Sequence, residues 1–210
     1  ILPNRMLDSE EVSGDRDIVV KMDSLIKSSD DNIFFIVEFK GNHHPYTNYE
    51  SNYDVWKPNF KTSANVKSDS LYINAYDNTI LYTDYLLNTM IDSLNTQNAH
   101  AAVWYVSDHG QTITANQGWH GTGSKEEYHV PLYIWFSESY KNNNPTIIKQ
   151  LQKQTHTPIN SDNIFYTICG MTHIQLPLEY AHPTWDISST EFVVHPRQML
   201  LGNQIINLDE

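Results

Sequence analysis

Three short apolar runs constrain this chain most: residues 33–39 (IFFIVEF), 101–107 (AAVWYVS) and 130–136 (VPLYIWF). Each is rich in β-branched and aromatic residues and too short for a core helix, so each reads as a strand buried on both faces. Around them lie longer stretches of helical period. Residues 15–28 put Ile18, Val19, Met22, Leu25 and Ile26 on one face, with Asp15 or Asp17 at the cap or in the first turn. Residues 69–95 repeat Tyr72, Tyr76, Ile80, Leu87, Met90, Ile91 and Leu94 at three- and four-residue spacing. Residues 145–153 open on Pro145, and residues 161–173 follow Ser161 or Asp162 as a cap. Strands alternating with such helices predict an α/β fold, a mostly parallel sheet with helices on both faces. The tail, 190–208, alternates weakly and predicts an antiparallel edge hairpin.

Composition narrows the function. With 40% hydrophobic and 18% charged residues the chain is too apolar for a disordered segment or a coiled coil. A net charge of -12 repels a phosphate backbone and argues against nucleic acid as the partner. The single cysteine, Cys169, excludes an internal disulfide and a Cys-based zinc finger, and ten histidines direct any metal chemistry to nitrogen and oxygen ligands. No apolar run is long enough to cross a bilayer. The start at Ile1-Leu2-Pro3, with neither methionine nor a basic leader, sets the expectation of a processed or excised piece.

In a sheet of this kind ligands bind beyond the carboxyl ends of the strands. Two such ends carry reactive groups: Gly41-Asn42-His43-His44 after the first run and Ser107-Asp108-His109-Gly110 after the second. A strand end that bends at glycine can aim an adjacent carboxylate and imidazole at one cation. His120 follows between Gly118 and Gly121, where the backbone can approach a ligand closely. The alternatives stay open from residues alone: Asp108 can cap a turn, and the histidines can be surface or satisfied core groups. His44, before Pro45, reads better as an exposed turn residue than His43 does. His129 reads as an orienting group, and His100, His156, His173, His182 and His195 as structural or solvent-facing. The segment 40–67 is a long loop without periodicity, but Tyr46, Tyr49, Tyr53 and Trp56 argue that it is ordered. No serine or threonine sits in a nucleophile elbow or a phosphate cradle.

Taken together, several motifs match a known pattern. Residues 76–84 (YDNTILYTD), 105–110 (YVSDHG), 120–121 (HG), 129–132 (HVPL) and 162–165 (DNIF) resemble, in order, the C-terminal part of the phosphoethanolamine transferases of the sulfatase and alkaline phosphatase superfamily. Residues 41–46 (GNHHPY) are similar to that family's Gly-Ser-His-Gly-Pro loop. The resemblance implies an alkaline-phosphatase-like sandwich, with residues 1–210 as the C-terminal part of its catalytic domain and the N-terminal strands lying upstream. It implies zinc as the cofactor, with Asp108 and His109 as metal ligands and His43 and His120 across the site on substrate phosphate or a second zinc. It also implies phosphatidylethanolamine as donor and lipid A or another envelope sugar as acceptor. The transfer would pass through a phosphothreonine, on the periplasmic face of the inner membrane, with an N-terminal domain as the tether. The family's threonine nucleophile and glutamate ligand fall upstream of the Gly-x-His-x-Pro loop, and Gln111 stands where the family usually has glutamate. Two other readings are an ester hydrolase of the same superfamily and a non-catalytic envelope-binding module.

Overall fold

In the computed structural model, which describes residues 14–63, 68–114, 117–201 and 203–209, the apolar stripe of residues 15–28 winds into helix α1 (Asp15–Ser28). The expectation about the start at Ile1 and the end of the 40–67 loop, 64–67, lie outside the described residues. The chain divides into two compact units, Ile1–Ala99 with Val103–Trp135 and His100–Ala102 with Phe136–Glu210.

The first unit holds α1, α2 (Phe60–Ser63), α3 (Asp69–Thr96), β2 (Thr112–Thr114), β3 (Gln117–Trp119) and all but one terminal residue each of β1 (Ala102–Val106) and β4 (Leu132–Phe136). Helix α3 is its spine and packs on α1, α2 and β2. Ser68 caps it by accepting from the Leu71 N–H at 3.3 Å. Its buried face runs Leu71, Ala75, Asn78, Thr79, Tyr82, Thr83, Leu86 and Met90, a helical stripe. Val19, Tyr49, Tyr82, Leu86 and Met90 form the core, with Phe39 and Met22 packed against it. Full burial makes Leu71 and Leu86 worth roughly 1.5–3 kcal/mol each. Asn78 and Thr79 are polar yet fully buried because that face also carries loops: the Asn78 Oδ1 accepts the N–H groups of Val55 and Trp56 at 3.0 and 2.9 Å.

The second unit holds α4 (Glu138–Asn143), α5 (Pro145–Lys153), α6 (Asp162–Met171), β5 (Gln198–Leu201) and β6 (Gln204–Asn207). Ser137 caps α4 through the Tyr140 N–H, and the Tyr140 hydroxyl donates to the Met171 carbonyl at 2.6 Å, tying α4 to the end of α6. Thr167 accepts the Ile187 N–H at 3.1 Å, and Asn163 donates to the Trp185 carbonyl at 2.8 Å, so one face of α6 seats the segment that follows it. The expected tail hairpin is present as antiparallel β5 and β6. Histidines expected to be structural are so placed here: His195 stacks on Trp185 with centroids 3.7 Å apart, and His173 bonds to the Asn144 side chain.

Two expectations need correction. Residues 33–39 form no strand. Exposure alternates along them, with Ile33, Phe34 and Ile36 outside and Phe35, Val37 and Phe39 half-buried, which is the pattern of an extended chain covered on one face. An apolar run signals burial, but a strand also needs a ladder partner, and no described residue supplies one here. Residues 108–129 are not a plain loop either. They contain the β2–β3 hairpin, whose three-residue strands are too short to show a period. The described strands pair in twos: β1 with β4, β2 with β3 and β5 with β6.

Candidate functional site

Three loops of the first unit carry the residues singled out by the sequence. The first, after residue 39, is anchored by a buried carboxylate. Asp15 accepts from the backbone of Lys40 and Gly41 at 2.9 Å each and from the Asn48 side chain at 2.6 Å. Asn42 donates to the Thr79 hydroxyl of α3 at 2.8 Å. Between these anchors the His43 Nδ1 lies 2.7 Å from the His44 carbonyl. A carbonyl only accepts, so Nδ1 carries the proton and Nε2 keeps its lone pair. Asp15→Ala strands two backbone donors, each costing about 1–3 kcal/mol, so we expect the unfolding free energy to fall by up to that amount summed and the denaturation midpoint to fall with it, Asp15→Asn recovering part. An unchanged midpoint would show the loop holds itself.

The second loop ends β1. The Ser107 hydroxyl donates to the His109 carbonyl at 2.7 Å, and the His109 N–H donates to the Asp108 carboxylate at 3.0 Å. The His109 Nδ1 donates to the Gly110 carbonyl at 2.8 Å, which leaves its Nε2 free 3.6 Å from the Asp108 Oδ2. Gly110 is required sterically, because a Cβ there would overlap the Glu126 carbonyl oxygen.

The third loop is delivered by the β2–β3 hairpin. Its register pairs Thr112 with Trp119, so Gln111 and His120 sit opposite each other one step beyond the ladder. The His120 ring lies over the His109 ring, with centroids 3.8 Å apart and planes 36° from parallel. His43, His44, Gln111 and His120 line one depression. Tyr46, fully buried below, donates its hydroxyl to the Gln111 Oε1 at 3.2 Å. Burial, and then the charge of His43, hold the His44 imidazole below its ordinary range.

The structure thus brings His43 and His120 to one depression and stacks His120 on His109, whose neighbour is Asp108. His44 and Gln111 line the same depression, although sequence reasoning had set His44 aside as a turn residue. Glu127 was missed altogether. It is 4% exposed and its carboxylate gathers the Thr112 and Thr122 hydroxyls with the backbone N–H groups of Gly121, Thr122 and Gly123. The one available signal was the run Gly121-Thr122-Gly123-Ser124, whose two glycines take φ of 85° and 80° and turn their amides toward one acceptor.

Burial by itself would raise the Glu127 carboxyl above the ordinary 4.5, but hydrogen bonds from Thr122, Thr112 and the backbone outweigh it and hold the group at about 2. A carboxyl depressed in the folded state stabilises above its unfolded value and loses that contribution as pH falls through its folded value. We therefore expect the chain to lose about 3 kcal/mol between about pH 4.5 and pH 2, a component absent from Glu127→Gln. Denaturant titrations at stepped pH measure it, and parallel curves for the two proteins would refute it.

Tetrahedral zinc with ligands at 2.0–2.2 Å places neighbouring donor atoms about 3.3 Å apart. The 3.6 Å between the Asp108 Oδ2 and the His109 Nε2 fits a shared ion, and the Nδ1 bond to Gly110 sets the tautomer a ligand needs. These two residues could supply two ligands of a coordination sphere. Among the described residues no group of three or more His, Cys, Asp or Glu side chains converges into a full one.

The profile of the family described as Sulfatase matches residues 8–174. The chain belongs to the sulfatase family. Among its relatives, the Phosphoethanolamine transferase EptA of Helicobacter pylori is 34% identical over 169 residues, covering 75% of this chain and 31% of that protein. The Kdo(2)-lipid A phosphoethanolamine 7''-transferase of Escherichia coli K12 is 30% identical, covering 70% of this chain and 27% of that one. This sulfatase-family chain therefore spans about a third of the length of the curated relatives it matches. Its fold is that of the C-terminal periplasmic domain of EcEptC from Escherichia coli, with a TM-score of 0.77 at 18% identity over 95% of this chain and 59% of that one. The zinc complex of the same domain superposes with a TM-score of 0.76 at 19% identity over 98% of this chain. The α/β, alkaline-phosphatase-like class expected from sequence is borne out by this fold. No described helix is long and apolar enough to cross a membrane.

Proposed function

We propose that residues 1–210 form the C-terminal part of the catalytic domain of a zinc-dependent phosphoethanolamine transferase. It would act at the periplasmic face of the inner membrane and move phosphoethanolamine from phosphatidylethanolamine to lipid A or a related envelope sugar. The observation that carries the reading is the continuous set formed by Asp108, His109 and His120, with His43 lining the same depression as His120. Names of the relatives and the sulfatase fold support the chemistry.

Asp108 and His109 would hold the zinc. When bound, it supplies positive charge that offsets charge growing on phosphoryl oxygens and favours an ionised nucleophile. The residues of this chain divide the remaining work. His43, with Nδ1 committed to the His44 carbonyl, presents Nε2 to take a proton or, once protonated, to give one to a leaving oxygen. His120, which lines the same depression, grips a phosphoryl oxygen through a ring N–H. Gln111 adds a polar but neutral group, so no carboxylate there repels a phosphate.

The test uses the protein at its full natural length, loaded with zinc and given phosphatidylethanolamine vesicles and lipid A. Mass spectrometry should find phosphoethanolamine on lipid A, with diacylglycerol released. Diacylglycerol and free phosphoethanolamine without modified lipid A would make the protein a hydrolase of the superfamily. No consumption of donor by zinc-loaded protein would make it a binding module.

A further inference from the structure

Glu127 is the residue that joins the two histidine-bearing loops, and it does so from both its main chain and its side chain. Its carbonyl accepts the Gly110 N–H at 2.7 Å, directly after His109. Its Oε2 accepts the Gly121 N–H at 2.9 Å, directly after His120, and the N–H groups of Thr122 and Gly123 at 3.0 and 3.2 Å. Its Oε1 takes the hydroxyls of Thr122 and Thr112 at 2.5 and 2.9 Å, so the carboxylate also reaches β2. No ion pair with Glu127 is formed among the described residues, so backbone and hydroxyl donors alone offset the cost of burying the charge.

Five donors on one carboxylate exceed what closing a short turn requires. Gly121 at φ 85° and Gly123 at φ 80° turn successive amides toward the Glu127 carboxylate. Consequently the backbone directly after His109 and directly after His120 is tied to one residue, which restricts where the two rings can stand. A shift of about 1 Å in either loop would separate two rings whose centroids stand 3.8 Å apart.

We propose that Glu127 is a positioning residue that fixes the His109–His120 ring pair, acting through the geometry of its acceptors rather than through its negative charge. Its importance to catalysis rests on the function proposed above, but the ring pair itself can be observed without metal or substrate.

The charge-independent role makes the variants diverge. Glu127→Gln keeps one oxygen for the Gly121, Thr122 and Gly123 amides, and its amide group can face Thr112 and Thr122 hydroxyls rotated to accept. Glu127→Ala removes every acceptor, and Glu127→Asp keeps the charge but withdraws it by about one bond length. The probe is the metal-free chain, with histidine ring protons followed by NMR and zinc titrated alone afterwards. Wild type and Glu127→Gln should show a ring-to-ring nuclear Overhauser effect between His109 and His120. Glu127→Asp and Glu127→Ala should lose it, and their zinc affinity should fall roughly 10–100-fold, as for an outer-shell partner.

A ring contact retained in Glu127→Asp, or lost in Glu127→Gln to the same degree, overturns the proposal. The Asp variant keeps the proposal testable should the Ala variant fail to fold. Intact ring contacts together with absent transferase activity in the wild type would instead refute the functional reading and leave this one standing.

Discussion

Asp108→Ala is expected to emerge from purification without zinc under conditions where the wild type retains it. The carboxylate is 87% exposed and among the described residues it accepts a hydrogen bond only from the adjacent His109 N–H, so its removal should change stability by no more than about 0.5 kcal/mol. What it does remove is one of two donors that stand 3.6 Å apart. Losing a direct ligand should cost more than the roughly 10–100-fold in affinity that loss of an outer-shell partner costs, and transferase activity should disappear with the metal. His109→Ala should behave alike. Elemental analysis after dialysis against a weak chelator, beside a melting curve, separates metal loss from unfolding. Full zinc content in both variants would remove these residues from the metal site.

The second large effect separates chemistry from metal binding. His120→Ala should keep its zinc within a factor of about two while turnover falls roughly 100- to 10,000-fold, the range a positioned proton donor or acceptor contributes. The ring stands on His109 rather than beside Asp108, and its loss leaves the Asp108–His109 pair and the Gly110 bond in place. If the rate loss sits in kcat with KM little changed, His120 acts in the transition state. If it sits in KM alone, His120 only holds the donor. Equal loss of zinc and turnover would make His120 a ligand itself.

Much of this was legible before any coordinates. Helices α1, α3, α5 and α6 declare themselves because an amphipathic stripe repeated over two or more turns is a long signal, and a first-turn proline such as Pro145 marks where one begins. Strands β1 and β4 show as dense apolar runs. Asp108, His109, His43 and His120 could be named as candidates because the first three lie at the ends of such runs and His120 lies among glycines. The run 33–39 shows where that logic stops. Hydrophobicity reports that a segment wants cover, whereas pairing depends on whether another strand lies alongside, and Ile36 is 89% exposed.

Local sequence thus determined the helices, the apolar strands and the identity of the reactive groups, since each depends on residues within a few turns of one another. Tertiary structure alone decided which of those groups meet. His44 joined the depression because Asp15, 25 and 26 residues away from the backbone it binds, bends that loop inward. Glu127 became the anchor of two loops because a buried carboxylate collects whatever donors the fold presents. Such donors are 4 to 15 residues distant along the chain, at spacings that follow no helical or strand period. Contacts of this kind are set by closure of the whole unit, so no window of sequence contains them.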